Sequence, residues 1–181
     1  MDASMKTRLQ KMIRTLLLLS LPIVIIATSD HALAGERKLS FAVSGVVESI
    51  SITPGASVKS GTVLAVLDQT TFLARKRAAD AAVESTKLIL DLADLKSTQV
   101  RELFDALSTS QEEVEKAEIA LANARSAYEA ASSHAEIAHW RLQRATLISP
   151  FEGTVASIPG YPGMVINTYA GLQAVVVVNA K

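Results

Sequence analysis

Three histidines and two close pairs of carboxylates are the residues through which this 181-residue, cysteine-free sequence could do chemistry. His134 and His139 lie five apart on a helical stretch, so they do not share a face, and no cysteine exists to complete a zinc set. His31 sits in a segment expected to be removed. Asp91 with Asp94, and Glu112 with Glu115, do share a helical face, and solvated charge on an exposed helix accounts for both pairs. No serine, histidine and acid stand in a readable nucleophile context. Nucleophile, base and orienter are not found together, which excludes an enzyme. Gly45, Gly55 and Gly61 could suggest a phosphate cradle, but such a loop must lead into a helix N-terminus, and strand-like residues follow each of these glycines.

The elements around these residues are more informative. No glycine or proline occurs from Thr62 to Ser149. Residues 70–144 read as two helices folded back on each other. In the second, Val114, Ala117, Leu121, Ala124, Tyr128, Ala131, Ala135, Ala138 and Leu142 recur at alternating spacings of three and four, which is a heptad seam. The first helix is assigned the seam Ala74, Ala78, Ala81, Ser85, Leu88, Leu92 and Leu95. Past Leu95 its apolar set shifts to Val100, Leu103, Phe104 and Leu107. Ser108-Thr109-Ser110 competes with the helical backbone and predicts a turn. Ser110 with Glu113 has capping-box spacing and predicts a new helix start. Each helix would rise about 50 Å at 1.5 Å per residue. One unbroken helix, or pairing with another chain, is the competing arrangement.

The flanks read as short strands. Phe41, Val43, Val46, Ile50, Ile52, Val58 and Val63 alternate loosely with polar residues, punctuated by Gly45, Gly55 and Gly61. Each of these glycines is expected to supply a positive φ where strands join. Residues 145–180 repeat the theme through Gly153, Gly160 and Gly163. Neither flank could close a core alone, and together they approach the lower size limit of a domain. Both are therefore expected in one small β unit, with Ala74 and Leu142 adjacent at its junction with the hairpin.

Lys6, Arg8, Lys11 and Arg14 precede an apolar run from Leu16 to Ala27, and Ala32-Leu33-Ala34 fits signal-peptidase cleavage before Gly35. The run would span about 18 Å as a helix, short of a hydrocarbon core of about 30 Å. An uncleaved inner-membrane anchor is the alternative. Export of residues 35–181 removes four of 18 basic and two of 18 acidic side chains, leaving 14 and 16. The basic residues are interspersed with acidic ones, so the chain has no nucleic-acid footprint.

The glycine series ending in Leu67-Asp68, and the stretch Ala145-Thr146-Leu147-Ile148-Ser149-Pro150-Phe151-Glu152-Gly153-Thr154-Val155, resemble the two halves of the lipoyl domain of HlyD-like periplasmic adaptors, also called membrane fusion proteins. The resemblance covers most of the exported chain. It implies an α+β fold: a small all-β lipoyl-like (biotinyl-lipoyl) sandwich split by a long antiparallel coiled-coil α-hairpin. Residues 1–34 would be a signal peptide, 35–69 the first lipoyl-like half, 70–144 the hairpin and 145–181 the second half. It implies no cofactor, because the hairpin replaces the site where a lipoyl or biotinyl carrier bears its modified lysine.

The resemblance further implies a periplasmic subunit of a tripartite efflux or type I secretion system. Its partners would be a TolC-type outer-membrane channel, an inner-membrane transporter and further copies of itself. Partner contact falls to the hairpin tip, at Arg101, Leu103, Leu107, Ser110 and Glu113. Gly45, Gly55, Gly61, Gly153 and Gly163 fall at structural turns. The family's tip pattern of Arg, Leu and Ser matches at Leu103 and Ser110, whereas its Arg position holds Gln99, with Arg101 two residues on. Arg101 and Glu102 could equally be a solvated face, and Leu103 a seam residue. The family usually continues into a β-barrel and a membrane-proximal domain beyond the point matching Lys181. That leaves a minimal adaptor, part of a split one, or a truncated product. A periplasmic scaffold associating through its helices is the alternative function.

Overall fold

The computed structural model describes residues 35–181; the predicted signal peptide and His31 lie outside the described residues. Four strands, β1 (Glu36–Leu39), β2 (Gly45–Ile50), β3 (Ser57–Val58) and β4 (Val63–Leu67), lead into two helices, α1 (Thr70–Asp105) and α2 (Gln111–Arg144). Four more follow, β5 (Thr146–Ile148), β6 (Gly153–Ser157), β7 (Val165–Ile166) and β8 (Val176–Ala180). The α+β fold is as expected: two small antiparallel sheets with a long helical hairpin between their halves.

The strands do not segregate by half. One sheet has the order β1-β8-β6-β3 and the other β5-β4-β2-β7. Replacing each strand of the first sheet by the one four places later, or earlier, generates the second, so the two halves are related by an internal two-fold exchange. The turns obey it as well. The Gly55 amide donates to the Val155 carbonyl at 2.8 Å, and the Gly163 amide donates to Val47 at 2.7 Å. Val155 returns a bond to Ala56, and Val47 one to Met164, both at 2.9 Å. Pro54-Gly55 and Pro162-Gly163 are thus the same turn in two copies. The glycines stand at φ 83° and 88°, where a side chain would be strained.

Gly61 also has positive φ, but Gly45 and Gly153 do not. The left-handed backbone expected of Gly45 and the turn expected of Gly153 are corrected: both begin strands and are small because of close approach. A Cβ on Gly153 would overlap the Asn179 carbonyl oxygen of the neighbouring strand. A Cβ on Gly45 would sit 3.0 Å from the Leu67 side chain.

The inner faces enclose one core containing Val47, Leu64, Leu67, Val155, Val176 and Val178, all essentially inaccessible. Burying each such side chain is worth about 1.5–3 kcal/mol. Phe72 and Leu142, from the feet of the helices, pack against the same core. Phe72 takes the place expected of Ala74, which is exposed. Asp68 Oδ1 accepts from the Thr70 amide at 2.9 Å and so satisfies one free donor at the start of α1.

The hairpin seam follows expectation on α2 and departs from it on α1. Val114, Ala117, Ala124, Ala135 and Ala138 are buried. On α1 the buried or half-buried positions include Phe72, Lys76, Ala79, Val83, Thr86, Leu90, Ala93, Ser97 and Val100. That is also a heptad series, offset by two residues from the expected one. Two residues rotate a helix position by about 200°. The expected series therefore lies on the opposite, outer edge, and Leu88, Leu92 and Leu95 are 66%, 67% and 55% exposed. Alpha-helical spacing alone could not choose between two apolar stripes on one helix.

Candidate functional site

The end of the hairpin away from the β unit is shaped by the way α1 stops. Ala106 is its C-cap; the Leu107 amide donates to Phe104 O and the Ser108 amide to Leu103 O, both at 2.8 Å. These two bonds make a Schellman motif, whose left-handed position glycine normally fills. Here that position is Leu107, at φ 56°, the one non-glycine residue with positive φ among those described. Its side chain is 93% exposed. A branched residue in this conformation costs roughly 1–2 kcal/mol, and this leucine recovers none of that by burial.

Ser110 caps α2, accepting from the Glu113 amide at 3.4 Å. The return arm expected of a capping box is diverted: the Glu113 carboxylate pairs with Lys116 at 3.0 Å, and Glu112 reaches the same lysine at 2.8 Å. Contact with both carboxylates, Glu112 first, raises the Lys116 pKa. Val100, Val114 and Ala117 form a small buried cluster that locks the two helices together just below the turn.

The five residues assigned to the tip therefore have different situations. Leu107 is the apex. Leu103 is half out, 49% exposed, and its carbonyl closes the turn. Ser110 and Glu113 set the start of α2. Arg101 is tied to Glu118 across the hairpin, so its guanidinium braces the helices. Phe104, partly exposed beside Leu107, belongs to the apolar set expected at the end of α1 but is not among the residues assigned to the tip. Around this apolar apex stand Glu102, Asp105, Glu112, Glu113, Glu115 and Glu118, against only Arg101 and Lys116, both paired. The tip is an exposed leucine inside an acidic collar.

Lower down the rod, His139 Nε2 and Asp80 Oδ1 stand 2.6 Å apart across the helices, while Lys76 holds the other oxygen of Asp80 at 2.7 Å. His134 is elsewhere, lining a groove with Arg75 and Arg141. The two histidines thus belong to separate surroundings. No cluster of three metal-ligating side chains occurs among the described residues.

The sequence matches no known family profile and no characterised protein. Its architecture does match solved structures. A MacA–MexA chimera carrying the Pseudomonas aeruginosa MexA α-hairpin domain superposes with a TM-score of 0.59 over 81% of this chain and 46% of that one, at 24% identity. The membrane fusion protein Spr0693 from Streptococcus pneumoniae gives 0.59 over 81% of this chain and 63% of its own, at 18% identity. This is the membrane fusion protein fold. The periplasmic adaptor EmrA shares it, with a TM-score of 0.52 and 18% identity over 80% of this chain and 72% of EmrA. The chain thus spans less than two thirds of the first two structures. The part that a membrane fusion protein has in common with it is the interlocked β unit with its projecting hairpin. No helix among the described residues is long and apolar enough to cross a membrane.

Proposed function

We propose that this chain is a periplasmic adaptor subunit of a tripartite efflux or type I secretion system, working as a spacer and seal. The observation that carries this is Leu107. A strained, almost fully exposed leucine at the apex of a rigid rod gains nothing for the fold, and strain of this kind collects where a partner is met. The rod places it roughly 50 Å from the β unit. Its partner is a TolC-type outer-membrane channel, offering an apolar recess rimmed by basic or amide groups to match the acidic collar. An inner-membrane transporter would be met through the opposite end. Export is by the N-terminal signal peptide, and several copies stand side by side around the transport path.

The test is binding of the purified exported chain to an outer-membrane channel from the same cell. Leu107→Glu should weaken binding at least about tenfold, the loss of roughly 1.4 kcal/mol, with helix content unchanged. Equal binding by the variant would remove the tip from the interface.

A further inference from the structure

One groove of the hairpin has a lining unlike the rest of the rod. It lies between the feet of α1 and α2 and encloses about 400 Å³. Phe72, Arg75 and Ala79 line it from α1, at the spacings of three and four that share a helical face; Ile137, Ala138 and Arg141 line it from α2. Ala138 is buried and Ala79 half-buried between the helices. Both are too small to fill the space there, which leaves the hollow.

Its charge is of one sign. Arg75 and Arg141 line it and no carboxylate does. Neither guanidinium has an ion-pair partner among the described residues. Two further grooves between the same helices are instead lined by Asp80, Glu84 and Glu136, and by Asp94, Glu102 and Asp105. The order of the lining along the rod follows from the pairs Asp80 with His139 and Arg101 with Glu118, which fix the register of the two helices. Phe72 is nearest the β unit, then Arg75 and Arg141, then Ala79, Ala138 and Ile137, with His134 at the far end. From Arg141 to His134 the groove runs roughly 10 Å at 1.5 Å per residue. It therefore has a cationic end beside the β unit and an apolar stretch leading from it toward the tip.

We infer that this groove binds a single-chain amphiphilic carboxylate, a medium-chain fatty acid anion, with its head at Arg75 and Arg141 and its chain along Ala79, Ala138 and Ile137. A guanidinium offers a planar fork of donors that fits a carboxylate through two charge-assisted hydrogen bonds. Two such forks with no competing acid attract an anion and repel a cation. Methylenes taken out of water along the apolar stretch add to the affinity. A volume of about 400 Å³ is toward the lower end of small-molecule sites, which span about 300–1,000 Å³. That suits one acyl chain and is too small for the two chains of a phospholipid. The site stands on the groove alone and is independent of what the tip meets.

The test is calorimetric titration of decanoate into the exported chain. Decanoate should saturate a single site, and decanol should bind at least about tenfold more weakly. Decyltrimethylammonium should not bind. Arg75 and Arg141 are exposed, so Arg75→Gln with Arg141→Gln should leave helix content unchanged while weakening decanoate binding at least about tenfold. Arg75→Lys with Arg141→Lys should fall between the two, because it keeps the charge and loses the fork. Absence of decanoate binding overturns the proposal. So does equal binding of decanoate by the glutamine variant, or of decyltrimethylammonium by the unaltered chain, since the ligand would then follow exposed apolar surface. Co-sedimentation with phosphatidylglycerol vesicles is a further arm. Vesicle binding in place of decanoate binding, lost in the glutamine variant, would assign the two arginines to a membrane surface and overturn the single-chain carboxylate.

Discussion

The amide of Leu67 donates to the carbonyl of Ala145 at 2.8 Å, joining the last residue of β4 to the first residue after α2. The whole helical rod is thus an excursion between two points held one hydrogen bond apart. Leu67 and Ala145 are also both fully buried, so the feet of the rod are set in the core and its direction is fixed by the β unit.

Interlocking of the halves has a measurable consequence. Each sheet draws two strands from each half, so residues 35–69 alone have no partner for β1, β3 or the outer side of β4. As an isolated peptide they should show no stable strand signal by circular dichroism. Leu64→Ala in the exported chain should cost about 2–5 kcal/mol by denaturant unfolding. A stably folded 35–69 peptide would contradict the interlocked arrangement.

Glycine positions separate two physical demands. Gly153→Ala places a methyl against the Asn179 carbonyl, and overpacking of this kind costs about 1–3 kcal/mol. Gly163→Ala meets no neighbour, and its cost is the left-handed backbone, about 1–2 kcal/mol. Chemical unfolding measures both. A second substitution Asn179→Ala should rescue neither, because the clash at Gly153 is with backbone.

Leu107→Gly should raise stability by about 1 kcal/mol, since glycine adopts φ 56° without penalty. The same change deletes the apical side chain and should weaken channel binding. Opposite signs in thermal unfolding and in binding are the signature of a residue kept for its partner. Loss of both would make Leu107 a folding residue.

Two carboxylates give an acid limit to the structure. The Thr70 amide, and then its hydroxyl, hold the Asp68 carboxyl below its ordinary range, and Lys76, then His139, do so for Asp80. With the folded pKa depressed, the unfolded chain takes up protons first. The stabilisation is therefore complete above the unfolded value of about 3.9 and is lost as pH falls through the lower folded values. The melting temperature should be flat from these groups above about pH 5 and decline below about pH 4. Asp68→Asn with Asp80→Asn should flatten that decline.

Much of this was legible in the sequence. The missing glycine and proline between Thr62 and Ser149, the heptads of α2 and the hydroxyl run before Gln111 sufficed for the hairpin. The pairing of the halves followed from their size and from the Gly153 motif. The seam of α1 was assigned to the wrong edge because Leu88, Leu92 and Leu95 are more apolar than Thr86, Leu90, Ala93 and Ser97, which face α2. Hydrophobicity marks a contact without saying whether the contact lies within the chain or between chains. The left-handed Leu107 left no trace either, since glycine is the residue that advertises that conformation. Arg101 read as a tip residue, while its bond to Glu118 depends on a register between helices that no local spacing encodes.

The most direct measurement of the adaptor function is photo-cross-linking in the exporting cell. A photoreactive residue replaces Leu107 in one strain and exposed Leu73, near the β unit, in another, and adducts are identified by mass spectrometry. The account predicts an outer-membrane channel attached at position 107 and absent at position 73. A position 107 that captures only other copies of this chain would contradict it.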